Sequence, residues 1–517
     1  MGSARAGCLL ALAALAATAV GCSDDAEPRV EAGAGGSIVV AEASPPGSLD
    51  PALVTTATAR RAAWLAYTPP LTYRRAEGED GTDLVPALAE ELPETSDDGR
   101  SYSFRLRPGL RYSDARVVRA SDFERAVARS LRLSPRGIAL WGDVVGARAY
   151  ARGEGGSTDI RGIAVDDRTG RVRIELENPD RLFRYALASL AAAPVPPGTP
   201  LRDLSDDPPP GVGPYRVAQV RRGGDVVLER RRDWSLPGIP AGNAQQIVTR
   251  TIPDRAVRVD AVVDGRADLV EGESPQRMLP DIRSSYKSRY AEYPTLRGLY
   301  VSIDASRAPF RDGDVRRALS YALDARVLAQ LHDGFMQPAC NMLPPVVAGY
   351  RALDPCPYGE RDGDADLVEA SRLVEDAGAA GARVRVADGS DPRGRRLARY
   401  LATTLRKIGL SARVVRGGDA QVAFAASQPA IPHPAAYLDG VDDPVLAARV
   451  ELLEQQQDAE DAEQEWAAVD EDVVSGAYGA PYGVATAGVL ASKRLDMLRC
   501  ARFHPVVGMD YSSVCLR

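Results

Sequence analysis

The chain has 517 residues, 45% of them hydrophobic and 26% charged, with a formal net charge of −7 at pH 7. This mildly acidic balance argues against nucleic acid as a partner, because nucleic-acid-binding domains concentrate positive charge. The length exceeds one ordinary hydrophobic core, so we expect two or three domains.

The N-terminus has the composition of an export signal. Arg5 precedes a run of 13 small or apolar residues, Cys8 to Val20, which is too short to span a bilayer as a helix. We therefore predict a signal peptide over residues 1–21. Ala19 and Gly21 precede Cys22, and this resembles the lipobox of bacterial lipoproteins, in which the cysteine receives a lipid. The resemblance implies lipidation of Cys22, a flexible tether over residues 22–36 and attachment to the outer face of the cell membrane; a plainly cleaved signal with an incidental cysteine is the alternative.

Strands and helices alternate along the rest of the chain. The stretch "SIVVAEA" predicts a first strand, "DLVPALAEEL" a short amphipathic helical turn, and "RSYSFRLRPGLRY" a half-buried strand with a period of two. In "RASDFERAVARSL", the spacing of Ser121 and Glu124 is typical of a capping box at the start of a helix. The apolar side chains at 123, 126, 127 and 131 form one face of that helix.

Two later stretches have the strand–helix–strand order of right-handed crossovers. The first begins at "QQIVTRTIP" and predicts a helix from Asp254 to Val263. The second begins at "ARVRVADGS" and predicts a helix from Arg395 to Lys407 that ends at Gly409. The acidic segment "ELLEQQQDAEDAEQEWAAVDEDVV" predicts a helix with a solvated face.

Four cysteines remain once Cys8 and Cys22 are set aside. An even number of cysteines in an exported chain favours disulfides, and four allow three connectivities. Local pairing of Cys340 with Cys356 and of Cys500 with Cys515 is the simplest of the three.

Motifs of catalysis are not found in the sequence. The three histidines, His332, His433 and His504, are far apart and lack metal-ligand spacing. No zinc-protease, nucleophile-elbow or phosphate-loop pattern occurs, and "GVGPY" follows prolines rather than a strand. We therefore expect a protein that is not an enzyme, with no catalytic residue, metal or cofactor.

Four stretches resemble the peptide/nickel type (family 5) of extracellular solute-binding lipoproteins, which serve bacterial ABC importers. They are "SLDPALVTTATARRAAWLAYTPPLTY", the segment from "LVPALAEEL" to "ASDFERAV", "GVGPYRV" and "APFRDGDVRRALSYALDARVL". The resemblance covers the chain from about residue 37 to its end. It implies an α/β fold of the periplasmic-binding-protein-like type II class, in which two lobes enclose a hinged cleft and carry an extra inserted domain.

The resemblance also implies a division of the chain. Lobe I would contain residues 37–60, 158–297 and 487–517, the inserted domain residues 61–157, and lobe II residues 298–486. A solute that contacts both lobes would favour the closed form of the cleft.

The resemblance also implies candidate ligand-binding residues, which are the residues at the positions of the family's contact segments. Thr55, Thr56 and Ala57 fall where family members offer main-chain contacts to peptide. The family's Trp-x-x-Asp-Tyr segment, whose carboxylate pairs with the ammonium group of a peptide, falls on "SQPAIPHP". Ligand-binding residues would there be Ser427, Gln428, Ala430 and His433, with Ser427 in place of the Trp and Ala430 in place of the Asp. A buried ammonium would lack its counter-charge, which argues against ordinary free peptides as ligands.

These expectations combine into one leading function and one alternative. The leading function is a monomeric, lipid-anchored substrate-binding protein that delivers a peptide or peptide-like solute to ABC permease subunits. The alternative is a diverged lipoprotein of the same fold that acts as a cell-envelope regulator or scaffold without dedicated transport.

Overall fold

A computed structural model describes residues 36–154, 159–221, 224–427, 429–441, 443–456 and 459–517. The predicted signal peptide, Cys22, the tether up to residue 35 and Gln428 lie outside the described residues. None of the helices in the described ranges combines the length and apolar character that crossing a membrane requires.

The strands are β1 Ser37–Glu42, β2 Leu71–Tyr73, β3 Leu84–Pro86, β4 Glu94–Thr95, β5 Ser101–Arg105, β6 Ile163–Asp166, β7 Arg171–Glu175, β8 Tyr215–Val220, β9 Val226–Arg230, β10 Gln246–Thr251, β11 Leu269–Gly272, β12 Tyr290–Ile303, β13 Met336–Pro338, β14 Arg383–Ala387, β15 Ser411–Val415, β16 Val422–Ala426, β17 Gly479–Ala491, β18 Phe503–His504 and β19 Gly508–Met509. The α-helices are α1 Ala57–Ala66, α2 Ala120–Leu133, α3 Pro135–Trp141, α4 Ala147–Arg152, α5 Arg255–Val263, α6 Leu279–Ser285, α7 Gly313–Tyr321, α8 Ala325–Leu331, α9 Leu367–Asp376, α10 Pro392–Lys407, α11 Ala435–Leu438, α12 Pro444–Glu454, α13 Ala459–Ser475 and α14 Met497–Cys500.

One large mixed sheet runs through the molecule. Its strand order is β15-β14-β16-β12-β17-β11-β1-β10-β9-β8, and β13 also pairs with β17. Both predicted crossovers are confirmed as parallel connections. Strands β10 and β11 pair in parallel on either side of β1, and β14 pairs in parallel with β15. Their helices, α5 and α10, are capped by Asp254 and Asp391.

The two longest strands, β12 and β17, join the two halves of this sheet. Residues 290–294 of β12 pair with 486–490 of β17, next to β11. Beyond a register shift between Pro294 and Gly298, β12 pairs with 479–484 of β17 and with β16. The predicted boundaries between the lobes, at 297/298 and 486/487, lie within β12 and β17. The predicted hinge therefore consists of these two antiparallel strands.

A separate four-stranded sheet has the order β4-β5-β7-β6. Its aromatic core is a chain of ring contacts from Phe104 to Phe123, Trp141 and Phe183, with centroid distances of 5.5, 6.1 and 5.8 Å. Strand β5 pairs with β7, so the sheet joins residues on both sides of position 157, where the sequence places the end of the inserted domain.

The Leu-Asp-Pro motif has a structural role. Asp50 and Arg129 of α2 form an ion pair in which both side chains are fully buried. The Asp50 carboxylate also accepts hydrogen bonds from the N–H groups of Ala52 (3.1 Å) and Leu204 (3.2 Å). This pair fastens α2 to the segment between β1 and α1.

The structure corrects two local predictions. Residues 83–92 do not form a helical turn, because residues 84–86 pair as β3 with β2. Helix α2 begins at Ala120, and Ser121 does not cap it. The Ser121 N–H and hydroxyl both donate to Asp167 (2.8 Å each), while Asp122 accepts from the Arg119 N–H (3.0 Å). Ser121, which the sequence predicted as the cap of this helix, therefore makes a tertiary contact with Asp167 instead. The apolar face of α2 is buried as predicted.

The acidic segment forms α12 and α13. The sequence predicted a solvated helix face there, but it did not predict that the opposite side of α13 is buried. Trp466, Val469, Asp470 and Val473 are buried there. Disulfide bonds join Cys340 to Cys356 and Cys500 to Cys515, which is the local pairing.

Candidate functional site

The predicted N-terminal contact segment lies at the start of α1. Thr56 caps this helix, since its hydroxyl accepts from the Ala59 N–H (3.1 Å) and donates to the Pro46 carbonyl (2.6 Å). Thr55 and Ala57 are exposed. The Thr56 side chain is therefore occupied by the helix cap, and the groups open to a solute belong to its two neighbours.

The second predicted segment begins where β16 leaves the large sheet. The Ser427 N–H donates to the Gly298 carbonyl (2.9 Å), and the Gly298 N–H donates to the Ser427 hydroxyl (3.0 Å). A Cβ on residue 298 would lie 2.8 Å from that hydroxyl oxygen, so a larger residue there would displace the Ser427 hydroxyl from its hydrogen bond. Ser427 thus extends the β12–β16 pairing at the crossing between lobes. Ala430, three residues later, is exposed.

His433 is buried and lies between an aromatic side chain of each lobe. Its ring centroid is 5.9 Å from that of Tyr185, in predicted lobe I, and 5.4 Å from that of Trp466 on α13, in predicted lobe II. Its Nδ1 accepts a hydrogen bond from the Ala435 N–H (3.3 Å). Burial, with a smaller contribution from the positive charge of Arg184, lowers the pKa of His433 to about 4. The imidazole is therefore neutral at pH 7 and serves as a packing group.

The aromatic contacts continue from Tyr185 into the N-terminal half of the chain. Tyr185 lies 6.5 Å from Tyr73, Tyr73 lies 6.4 Å from His504, and His504 lies 5.3 Å from Trp64 on α1. This row of rings connects α1, which follows the first predicted contact segment, to the second segment at His433.

A second contact between the predicted lobes is ionic. Arg393, in the first turn of α10, makes two hydrogen bonds to the Glu273 carboxylate (2.8 and 2.6 Å) and one to Asp333 (2.9 Å). Glu273 follows β11 in lobe I, and it also lies 3.4 Å from Arg255. The side chains of Arg393, Glu273 and Asp333 are each about one-quarter exposed. The ion pair of Arg393 with Glu273 is therefore partly shielded from solvent.

The structure places the predicted residues in two groups rather than one. Thr55 to Ala57 belong to the cap of α1, whereas Ser427 and His433 contact the crossing strand and the aromatic row. Sequence reasoning missed Tyr185, Trp466 and Arg393. Trp466 could have been found from the apolar spacing of Ala462, Trp466, Val469 and Val473 on α13, but Tyr185 and Arg393 carry no such local signal.

Within the described ranges, no group of three or more His, Cys, Asp or Glu side chains is placed to hold a metal ion. His433 and His504 lie in the same row of ring contacts, with Tyr185 and Tyr73 between them. His332 contacts the Tyr482 hydroxyl (3.1 Å), and burial lowers the pKa of both His332 and His504 to about 4. The arrangement offers main-chain groups, aromatic faces and an ion pair between the two predicted lobes, and groups of these kinds suit non-covalent binding.

Comparison with known proteins shows the family and the fold of the chain. A family model described as bacterial extracellular solute-binding proteins, family 5 (middle part), matches residues 83–444. The probable deoxycholate-binding periplasmic protein YgiS of Escherichia coli is 29% identical over 318 residues, which cover 60% of this chain and 57% of the relative. The oligopeptide-binding protein OppA of Bacillus subtilis is 24% identical over 54% of this chain and 51% of its own length. The chain thus spans about half the length of these two curated relatives. The dipeptide-binding protein of E. coli is 26% identical, and this match covers 73% of this chain and 71% of the relative.

Solved structures share the fold over 93% of the chain. The clavulanic acid biosynthesis oligopeptide binding protein 2 has a TM-score of 0.80 at 22% identity, with 95% of its own chain covered. The unliganded open form of the periplasmic murein tripeptide binding protein MppA has a TM-score of 0.78 at 18% identity, with 97% covered.

Proposed function

The chain belongs to family 5 of the bacterial extracellular solute-binding proteins, and we propose that it binds a peptide or peptide-like solute between its lobes and delivers it to an ABC importer. The family match over residues 83–444 is the observation that carries this proposal. The predicted fold class, an α/β type II binding protein, is confirmed by the shared fold of the solved structures.

Closure of the two lobes is the proposed mechanism. The contacts of His433 with Tyr185 and of Arg393 with Glu273 both join predicted lobe I to predicted lobe II. A solute that contacts both lobes binds the closed form more tightly than the open form. It therefore stabilises the closed form by the difference between its binding free energies for the closed and open forms. A permease that recognises the closed form then distinguishes a loaded protein from an empty one.

The proposed ligand class follows from the relatives and from the site. Relatives carry names that specify D,D-dipeptide, oligopeptide and deoxycholate. Main-chain hydrogen bonds to an extended solute would provide affinity that does not depend on the solute's side chains. Because Ala430 stands where a carboxylate is expected, we propose a ligand whose amine is absent or blocked, such as an acylated or cyclic peptide.

Native mass spectrometry of the purified chain tests solute binding. We expect a bound small molecule that dissociates at higher collision energy, and a thermal shift when the identified compound is added back. A ligand at 100 times its Kd stabilises by about 2.7 kcal/mol, which such an assay detects. The absence of both a bound mass and any shift with peptide-like compounds would contradict the proposal.

Membrane attachment and delivery are tested separately. We propose that Cys22 is lipidated and that the protein is held at the outer face of the cell membrane. Replacing Cys22→Ser should then release the protein or leave it unprocessed, and unchanged membrane retention would argue against the anchor. Cross-linking in cells should capture ABC permease subunits; capture of envelope-assembly proteins alone would favour a regulatory or scaffolding role.

A further inference from the structure

A basic recess lies on lobe II, away from the crossing strands. It is lined by β14, β15 and the loop before α7, and it encloses about 800 Å³. Strand β16 separates β14 from the crossing strand β12 in the large sheet. The recess is therefore distinct from the proposed solute site. The arginines that line it are Arg307, Arg311, Arg383, Arg385 and Arg413.

Strand geometry places three of these arginines side by side. Arg383 and Arg385 are two residues apart on β14, so they share one face of the sheet. Arg385 is paired directly with Arg413 on β15. Like charges at opposite positions of neighbouring strands destabilise a sheet unless another charge compensates them.

The protein itself provides little compensation. Asp419 contacts Arg307 (2.9 Å) and Arg385 (2.8 Å), and Arg307 also lies 3.8 Å from Asp304. In the described part of the chain, the side chains of Arg383 and Arg413 have no hydrogen-bond or ion-pair partner. The recess thus retains uncompensated positive charge in a chain whose net charge is −7.

The floor of the recess is firmly held. The Gln421 side chain is buried, accepts from the Arg385 N–H (2.9 Å) and donates to the Ala308 carbonyl (2.6 Å). Val384 and Val386, on the opposite face of β14, are fully buried in the core that α10 covers. The backbone positions of Arg383, Arg385 and Arg413 are therefore held by two paired strands, whereas the exposed side chains of Arg383 and Arg413 are not held by other protein groups.

We propose that this recess binds a multiply charged phosphate-bearing anion. Guanidinium groups form bidentate, charge-assisted hydrogen bonds with phosphate oxygens, and several arginines within one concave surface favour more than one phosphate charge. A free polyphosphate and a phospholipid headgroup share this chemistry. For a protein held at a membrane surface, such a site would provide an attachment independent of the solute cleft.

The test measures binding of two probes by the full chain. The probes are inorganic triphosphate and a water-soluble short-chain phosphatidic acid, whose phosphomonoester headgroup ionises twice, titrated calorimetrically at low and high salt. The test variant is Arg383→Gln with Arg413→Gln; both residues are exposed, so the fold should be retained, as circular dichroism can verify. The matched control is Arg250→Gln with Arg399→Gln, which removes the same charge from exposed positions outside the recess.

We expect at least one probe to bind the unchanged chain and the control alike, and to bind the test variant about ten-fold or more weakly, because two guanidinium groups that would hydrogen-bond the phosphate are removed. Binding should weaken at high salt. Binding of triphosphate alone would identify a free anion, and binding of the lipid alone a headgroup. Binding of neither probe, or equal loss in the test and control variants, would overturn the proposal.

Discussion

At the residue scale, Ala430 is the position where we predict that the chain departs from peptide-binding family members. Its methyl group is exposed, three residues beyond the point where Ser427 leaves the crossing strand. A ligand ammonium enclosed near this position would lose hydration without gaining a carboxylate partner, and that loss is costly in a closed site. The identity of one small side chain therefore bears directly on the class of solute.

We predict that the unchanged chain binds N-acetylated peptides more tightly than the same peptides with a free amine. Replacing Ala430→Asp should reverse this preference and strengthen binding of free peptides by roughly ten-fold, because a charged hydrogen bond contributes about 1.5–3 kcal/mol. Thermal shift with paired peptide libraries measures both effects. Ala436→Asp, at an exposed position on α11, is the control and should leave the preference unchanged. Tight binding of free peptides to the unchanged chain, lost on acetylation, would mean that another acidic residue provides the anchor.

His433 makes the stability of the protein depend on pH. Its pKa is about 4 in the folded protein and 6.5 in the reference state, so between these values the unfolded chain binds the proton and the folded chain does not. Stability is therefore fully present above pH 6.5 and is lost as the pH falls toward 4. His332 and His504 contribute in the same direction.

We predict that His433→Phe reduces the loss of melting temperature between neutral pH and about pH 5, because one of the three buried imidazoles no longer titrates. Thermal melts across this range measure the slope. Tyr437→Phe is the control, since it removes a hydrogen bond from the same segment, to the Leu296 carbonyl (2.7 Å), without changing titration in this range. Equal slopes for all three proteins would show that His433 is not the group responsible.

At the element scale, α13 shows how an acidic helix contributes to a core. Asp470 is fully buried; its carboxylate accepts hydrogen bonds from the Asn341 side-chain amide (2.8 Å) and from the Met342 N–H (2.9 Å). Burial raises the pKa of Asp470 to about 6. The helix is thus joined to the loop that carries the disulfide of Cys340.

We predict that Asp470→Ala lowers the free energy of unfolding by about 2–4 kcal/mol, because two buried N–H groups lose their acceptor. Glu471→Ala, at the exposed neighbouring position, should change it by less than about 0.5 kcal/mol. Urea unfolding monitored by tryptophan fluorescence compares the two variants. A small effect of the Asp470 substitution would mean that water replaces the carboxylate.

At the scale of the whole molecule, two long strands and a few side-chain contacts hold the predicted lobes together. Strands β12 and β17 pair on both sides of the predicted crossing, and their register shifts between Pro294 and Gly298, so relative movement of the predicted lobes would be absorbed there. The ion pair of Arg393 with Glu273 lies outside these strands and can break without disturbing either lobe. It is therefore suited to tune the balance between open and closed forms.

We predict that Arg393→Gln shifts this balance toward the open form. A partly exposed ion pair is worth about 1 kcal/mol, so the closed population should fall roughly five-fold relative to the open one. Small-angle X-ray scattering should show a larger radius of gyration for the variant without ligand. Arg399→Gln, on the same helix, is exposed and serves as the control. An unchanged radius of gyration in the Arg393 variant would show that this pair does not hold the lobes together.

The sequence by itself determined the alternation of strands and helices, both parallel crossovers and, through family motifs, the fold class; it left three disulfide connectivities open, of which the structure shows the local one. These features depend on residues close together in the chain: apolar periodicity, the side chain of Asp254 at the start of α5, and glycine at the end of a helix, as at Gly409. Tertiary structure decided the contacts of Ser121, the strand at residues 84–86 and the burial of His433 between Tyr185 and Trp466. Ser121 and His433 contact partners far away in the sequence, whereas the strand at residues 84–86 pairs with the nearby residues 71–73 and thereby overrides a helix-like apolar pattern. Long-range partners of this kind carry no signature in local spacing, and the same is true of the arginines that meet across β14 and β15.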